Sequence, residues 1–171
     1  MHICVTGGAG YVGSALVPIL DDVRVVDDLS VGEARNLPEG CDLLAIRYES
    51  IPYSDYDAVI HLAAAVGEKA CDNLPQAAIA RNVNGLVEML RSMKMLDNPP
   101  HIVFASSLVV YGDGPAPFVE DQPHKPLNVY AMTKCMGELL LGFSGLPHTI
   151  LRFSNVYGLG KICRRESLTG K

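Results

Sequence analysis

A tyrosine and a lysine four residues apart are the side chains whose types and spacing indicate chemistry. Tyr130 and Lys134 lie in an apolar segment with helical periodicity, and an i, i+4 spacing places both on one helix face. A phenol ionises near pH 10, and a neighbouring ammonium stabilises the phenolate form. We therefore predict that Tyr130 exchanges a proton with a substrate hydroxyl while Lys134 supplies the neighbouring charge.

A serine pair that precedes this helix supplies a candidate hydrogen-bond donor. Ser106 and Ser107 end a predicted strand, and ligands of open α/β sheets bind at the carboxyl ends of strands. We assign Ser107, rather than Ser106, as the residue that hydrogen-bonds the reacting oxygen. Because a tyrosine and a lysine at this spacing are common on amphipathic helices, the assignment depends on the rest of the chain.

A glycine-rich turn near the N-terminus predicts a cofactor site. The apolar strand at residues 3–5 runs directly into Gly7, Gly10 and Gly13. Glycine at these positions allows a tight turn, close approach of the backbone to a ligand, and close packing of the next helix. The N-terminus of that helix then faces an anion such as a pyrophosphate.

The second predicted strand, residues 23–26, ends in Asp27 and Asp28. Dinucleotide-binding folds place a carboxylate at this point to accept hydrogen bonds from the adenosine ribose. Because Asp27 would repel a 2′-phosphate, NAD is predicted in preference to NADP. Hydride transfer to a nicotinamide would accompany the proton transfer predicted for Tyr130.

The elements that must position these residues follow a regular pattern. Continuous apolar runs predict six strands, at residues 3–5, 23–26, 43–46, 58–62, 102–105 and 149–153. Helices are predicted at residues 15–20, 75–95 and 129–143. Continuous apolar strands with helices between them are typical of parallel sheets covered on both faces. The sequence thus predicts an α/β fold of the Rossmann type, a doubly wound parallel sheet with helices on both faces.

Composition restricts the partners. A chain of 171 residues with 49% hydrophobic residues can bury one core, which predicts one domain. The net charge of -5, with scattered basic residues, predicts neither nucleic acid nor membrane as a partner. No apolar run approaches the ~20 residues of a membrane span, so a cytoplasmic location is expected. Five widely spaced cysteines predict reduced packing residues rather than a metal site.

These motifs together resemble the extended short-chain dehydrogenase/reductase family, in particular its NAD-dependent nucleotide-sugar epimerases of the UDP-glucose 4-epimerase type. The resemblance extends to about Gly158. Besides the serine and tyrosine segments, it depends on residues 5–14, 26–30, 57–64, 82–85 and 151–158.

The resemblance implies roles for further residues. The cofactor would be lined by Tyr11, Val12, Asp27, Asp28, Leu62, Ala63 and Ala64, and Lys134 would also touch the nicotinamide ribose. Asn82 is assigned to the cofactor site because it would help to position the active site through its helix. The alternative is that Asn82 has only a helix-surface or packing role. Asn155 would approach the diphosphate of a nucleotide-sugar substrate. The helices at residues 75–95 and 129–143 match a pair that forms a homodimer interface in relatives.

Three departures from the family are visible. Members that dehydrate a sugar carry an acidic residue shortly after the catalytic serine or threonine, whereas Leu108 and Val109 stand here. The adenine-contacting aspartate after the third strand is replaced, with Ala45 or Glu49 nearby, so weaker adenine affinity is expected. We expect an NAD-binding domain at residues 1–158, a short tail at residues 159–171, and a largely missing C-terminal substrate sub-domain.

The leading functional hypothesis is therefore an NAD-dependent nucleotide-sugar epimerase that oxidises a sugar hydroxyl transiently. The alternatives are a nucleotide-sugar reductase or dehydrogenase, and a non-catalytic NAD-binding module without a substrate domain.

Overall fold

The computed structural model describes residues 1–158, and its centre is one sheet of six parallel strands. The strands are β1 (Ile3–Thr6), β2 (Val23–Val26), β3 (Asp42–Leu44), β4 (Ala58–His61), β5 (His101–Ser107) and β6 (His148–Phe153). They lie in the order β3-β2-β1-β4-β5-β6, and every neighbouring pair is parallel. All six predicted strands are confirmed. The order reverses between β1 and β4, which is where doubly wound sheets bind their ligands.

The long helices also agree with the prediction. The segment predicted at residues 75–95 forms α3 (Pro75–Ile79), a π-helical turn (Ala80–Asn84) and α4 (Gly85–Met93), and the last helix is α5 (Val129–Ser144). The first helix, α1, spans Tyr11–Leu16 rather than residues 15–20, and a 3-10 turn at Val17–Ile19 follows it. Pro18 accounts for the early end, since proline in a helix interior removes a hydrogen bond. A further short helix, α2 (Glu68–Asn73), was not predicted.

Alternate residues of each strand pack into two apolar clusters on opposite faces of the sheet. On one face, Val59 and Phe104 pack with Leu86 and Met89 of α4 and with Leu141 of α5. On the other face, Val5 and Val25 pack with Val17, which directly follows α1. Helices therefore cover both faces, as the doubly wound pattern predicts. This packing fixes the carboxyl ends of the strands relative to α1 and α5.

The predicted tail at residues 159–171, including Cys163, lies outside the described residues. Within residues 1–158 the four cysteines are free thiols. No helix in this range has the length and apolar character needed to cross a membrane.

Candidate functional site

A cavity of about 420 Å³ opens at the carboxyl edge of the sheet, over the point where strand order reverses. Every predicted site residue except Asn82 lines it, namely Gly7, Gly10, Tyr11, Val12, Gly13, Asp27, Asp28, Leu62, Ala63, Ala64, Ser107, Tyr130, Lys134 and Asn155. The residues come from five strand ends and two helices that are distant in sequence. Their convergence is a result of the fold and not of local spacing.

The glycine turn lies tightly against the neighbouring strand end. Gly7 has φ of +72°, and a Cβ there would lie 2.6 Å from the backbone N of Ala63. A Cβ on Gly13 would overlap the backbone of Gly8, so α1 packs directly on the turn. The first N–H groups of α1, from Tyr11 onward, have no acceptor within the helix. They border the cavity and can donate to the oxygens of a pyrophosphate.

Asp27 is buried at the end of β2 and is fixed by the backbone. Its Oδ2 accepts from the N–H of Ala9 at 3.0 Å, and its Oδ1 accepts from the N–H of Leu29 at 2.9 Å. Since a carboxylate has about four acceptor positions, two remain for the hydroxyls of a ribose. Asp28 borders the cavity beside it and accepts from the N–H of Ser30. These residues fit the adenosine half of NAD.

The three predicted catalytic residues meet at the opposite end of the cavity. Tyr130 and Lys134 lie in the first turns of α5, whose N-terminus is capped by the side chain of Asn128. Lys134 Nζ is 5.8 Å from the centroid of the Tyr130 ring. Ser107 ends β5 and caps the 3-10 turn that follows, because its Oγ accepts from the N–H of Val109 at 3.4 Å. The phenol, the ammonium and the serine hydroxyl thus border one space.

Lys134 is held in an unusual environment for a cation. Its side chain is buried, and Nζ donates to the carbonyl oxygen of Ala105 at 2.7 Å. Nζ also lies 5.0 Å from the centroid of the Phe104 ring. Burial lowers the pKa of Lys134 to about 8, although Cys71 and Glu138 act in the opposite direction. At pH 7 the ammonium form therefore still predominates next to Tyr130.

Two polar residues near the site have supporting positions. The amide of Asn82 donates to the carbonyl of Ala65 and accepts from its N–H, and it also donates to Thr133 Oγ1. Asn82 therefore connects the loop after β4 to α5, one layer away from the cavity, and its contact with the cofactor stays a prediction. His61 is buried against Thr6, and burial lowers its pKa to about 3, so it is a neutral core residue.

A second polar cluster next to the site, centred on the buried carboxylate of Glu138, was not predicted from the sequence. Glu138, one turn beyond Lys134, contacts Arg152 through both carboxylate oxygens, with a shortest distance of 2.7 Å. It also accepts hydrogen bonds from Ser106 Oγ and His124. Arg152 Nη1 donates to the phenol of Tyr111 at 2.8 Å. We call Glu138, Arg152, His124, Ser106 and Tyr111 the α5–β6 network.

Other cavity-lining residues also lay outside the site that we predicted. The far end of the cavity includes Ile46, Arg47 and Glu49 from the segment after β3, and Arg81 from the π-helical turn. Ile46, Arg47 and Glu49 could have been found from the sequence, because they lie at or just after the end of the third predicted strand. The family's adenine-contacting aspartate is expected there and is replaced in this chain. Residues 1–158 contain no group of three or more His, Cys, Asp or Glu side chains arranged to hold a metal ion.

Comparisons with known proteins agree with this geometry. The model of the NAD dependent epimerase/dehydratase family matches residues 3–169. A putative UDP-glucose 4-epimerase of Methanocaldococcus jannaschii is 35% identical over 91% of this chain and 56% of that protein. A UDP-N-acetyl-alpha-D-glucosaminuronate decarboxylase of Bacillus cytotoxicus is 33% identical over 90% of this chain and 54% of that protein.

A solved structure is similar throughout the described fold. The UDP-glucose 4-epimerase of Thermus thermophilus in complex with NAD superposes with a TM-score of 0.84 at 29% identity. The match covers 92% of this chain and 56% of that one. The chain spans a little over half the length of each of these relatives. With the family model matching nearly its whole length, the chain belongs to the NAD-dependent epimerase/dehydratase family.

Proposed function

We propose that this protein acts as an NAD-dependent epimerase on a nucleotide-sugar. The observation that carries the proposal is the meeting of Ser107, Tyr130 and Lys134 on the cavity that the glycine turn borders. When bound, NAD supplies reversible hydride acceptance, so that a sugar hydroxyl can be oxidised and then reduced from the other face. The substrate and product then have the same oxidation state.

The residues of this chain have distinct roles in the proposal. Tyr130 takes the proton of the sugar hydroxyl as the carbon loses hydride, and it returns the proton when the hydride comes back. Lys134 keeps a positive charge near the phenol at neutral pH, which favours the deprotonated oxygen. Ser107 donates a hydrogen bond to the oxygen on which charge changes. Asn155 borders the cavity beyond β6, where it can contact the diphosphate of the substrate.

Epimerisation is favoured over dehydration by the residues that follow Ser107. Elimination of water needs an acidic side chain beside the sugar ring. The positions directly after Ser107 instead form a 3-10 turn, Leu108–Tyr111, of three apolar residues and one tyrosine. Val109 of this turn borders the cavity, so an aliphatic side chain stands at the surface where an acid is needed. One relative is a decarboxylase by name, so members of the family also carry out reactions other than epimerisation.

The experiment that tests the proposal is an NMR assay of product configuration. The purified protein is incubated with NAD and, separately, with UDP-, GDP- and dTDP-linked hexoses, and Tyr130→Phe serves as the matched variant without the phenol oxygen. We expect an inverted sugar with at least one nucleotide-sugar and about 100-fold slower conversion by Tyr130→Phe. Stoichiometric NADH formation would instead identify a dehydrogenase. NAD binding without any conversion would identify a non-catalytic module.

We also infer that the protein forms a homodimer through α4 and α5. Both helices carry exposed apolar side chains, including Val87 on α4 and Met136, Leu139 and Phe143 on α5, and Phe143 is 85% exposed. Exposed apolar patches of this kind are typical of protein–protein contacts. Light scattering at micromolar concentration should give the mass of a dimer, and Phe143→Ser should shift it toward the monomer. A monomeric mass for the unaltered protein would contradict the inference.

A further inference from the structure

The end of the cavity beyond Asp27 is formed by the segment that follows the edge strand β3. In the sheet β3 is the neighbour of β2, so a ligand whose ribose lies at the end of β2 extends its base toward the end of β3. Ile46, Arg47 and Glu49 line the cavity there. Glu49 belongs to a 3-10 turn, Tyr48–Ser50, that directly follows Arg47.

One oxygen of the Glu49 carboxylate has an unmet acceptor position. Its Oε1 pairs with Arg47 Nη2 at 2.5 Å. Its Oε2 is buried and is without a hydrogen-bond donor among residues 1–158. A buried acceptor without a donor is costly to the folded state. Such atoms persist where an absent ligand or a water supplies the donor.

The surroundings of this oxygen fit a flat base with a donor on its edge. Val31 and Ile46 are large apolar side chains, 68% and 43% exposed, and both line the same end of the cavity. Apolar side chains provide contact for the faces of a planar ring. The exocyclic amino group of adenine is a donor on the edge of such a ring. The site thus offers the two kinds of contact that an adenine needs.

We propose that Glu49 selects the adenine of the cofactor by accepting a hydrogen bond from its exocyclic amino group on Oε2. The inference rests on the proposed function, since it takes NAD as the ligand. The sequence left Ala45 or Glu49 near the place of the family's adenine-contacting aspartate and predicted weaker adenine affinity; the acceptor is not at Ala45. The acceptor comes instead from the turn four residues further along the chain.

The test compares NAD with nicotinamide hypoxanthine dinucleotide, in which an oxo group replaces the amino group. Binding of each dinucleotide is measured by calorimetry, without substrate, to the unaltered protein, to Glu49→Gln and to Glu33→Gln. Glu33 is the matched control because it also pairs with an arginine, Arg35, is 51% exposed, and does not itself line the cavity.

We expect the unaltered protein and Glu33→Gln to bind NAD about tenfold more tightly than the hypoxanthine analogue. The oxo group would bring a second acceptor against the carboxylate, with no donor between them. In Glu49→Gln the preference should fall to within about twofold, because a side-chain amide can accept from an amino group or donate to an oxo group. Equal affinities for the two dinucleotides in the unaltered protein would overturn the proposal. A preference that Glu49→Gln leaves intact would also overturn it.

The measurement separates this inference from the proposed catalytic activity. A tenfold preference that depends on Glu49 supports the inference even where no nucleotide-sugar is converted. If a nucleotide-sugar is converted but NAD and the hypoxanthine analogue bind equally well, the proposed epimerase function is supported and the proposed role of Glu49 is contradicted. Failure of both dinucleotides to bind would contradict the inference and the proposed cofactor together.

Discussion

Lys134 and Glu138 lie one turn apart on α5, and both are buried. The number of groups that compensate each charge is nevertheless very different. Lys134 donates to a single backbone carbonyl and lies beside aromatic rings, and burial lowers its pKa to about 8. Burial would raise the pKa of Glu138, but hydrogen bonds from Arg152 and Ser106 outweigh it and hold the pKa below the usual value. The ammonium is left poorly compensated, and the carboxylate is fully paired.

The two charges face different parts of the molecule, and this accounts for the difference in how well they are compensated. Lys134 borders the cavity, and its ammonium lies near the ring of Tyr130 with only a backbone carbonyl as its hydrogen-bond acceptor within residues 1–158. Glu138 points to the side of β6, where its charge holds Arg152 and, through it, the backbone carbonyl of Glu120 in the loop before α5. Strain and unfavourable charge concentrate at functional sites, while structural polar groups are satisfied. These surroundings support the proposed catalytic role of Lys134 and a structural role for Glu138.

The largest effect is expected from removing the carboxylate of the α5–β6 network. Glu138→Ala leaves the partly buried guanidinium of Arg152 and the buried hydroxyl of Ser106 without the carboxylate that accepts their hydrogen bonds. Breaking a buried ion pair in this way costs about 3–5 kcal/mol of unfolding free energy. Urea denaturation measures the loss.

The control for this prediction is the Glu88–Arg91 pair on α4. It is the same kind of pair, but its atoms are 3.8 Å apart and its side chains are 57% and 79% exposed. Glu88→Ala should therefore cost less than about 1 kcal/mol. If the two substitutions lower the unfolding free energy equally, the α5–β6 network does not stabilise the fold more than an exposed ion pair does.

Removing the ammonium should slow turnover without destabilising the fold. Lys134→Met keeps most of the side-chain volume but leaves the phenol of Tyr130 without its cationic neighbour. We expect about 100-fold slower epimerisation, equivalent to about 2.7 kcal/mol in the barrier, with no loss of unfolding free energy. Turnover and urea denaturation are measured on the same preparation. Lys94→Met, at an exposed position after α4, should change neither quantity.

The sequence was sufficient for the features whose signals are local. The six strands are continuous apolar runs, and the glycine turn together with Asp27 predicted the phosphate and ribose ends of the site. Tyr130 and Lys134 were found because their spacing is a helix repeat. The bounds of α1 were wrong because its first turn contains Gly13, which lowers helix propensity, although close packing against Gly8 requires a glycine there.

What the sequence did not reveal depends on contacts between distant segments. Arg152 and Glu138 are fourteen positions apart and belong to different elements, so no periodic pattern connects them. His124 belongs to a loop without regular structure, and its place beside Glu138 follows only from the fold. The unmet oxygen of Glu49 likewise requires knowing which donors are near it in space. Charge compensation depends on tertiary contacts, and so the difference between Lys134 and Glu138 on α5 could not be predicted from the sequence.

The effect spread over the widest pH range is the contribution of Lys134 to the pH dependence of stability. Its folded-state pKa is about 8, against 10.5 for the free side chain. Between these pH values the unfolded chain binds more protons than the folded protein, so the Lys134 contribution to stability rises with pH. Below about pH 8 both states are protonated, and the full cost of the buried ammonium, on the order of 3 kcal/mol, is present.

Buried thiols and phenols oppose this trend in the unaltered protein, since burial raises the pKa of Cys4 and Tyr48. Their folded forms hold protons that the unfolded chain loses, which lowers stability at high pH. The quantity to measure is therefore the difference in unfolding free energy between the unaltered protein and Lys134→Met, from pH 7 to 10.5. Because Cys4 and Tyr48 are common to both proteins, their contributions cancel. The advantage of Lys134→Met should shrink by about 3 kcal/mol across this interval, whereas a constant difference would show that the ammonium is already compensated.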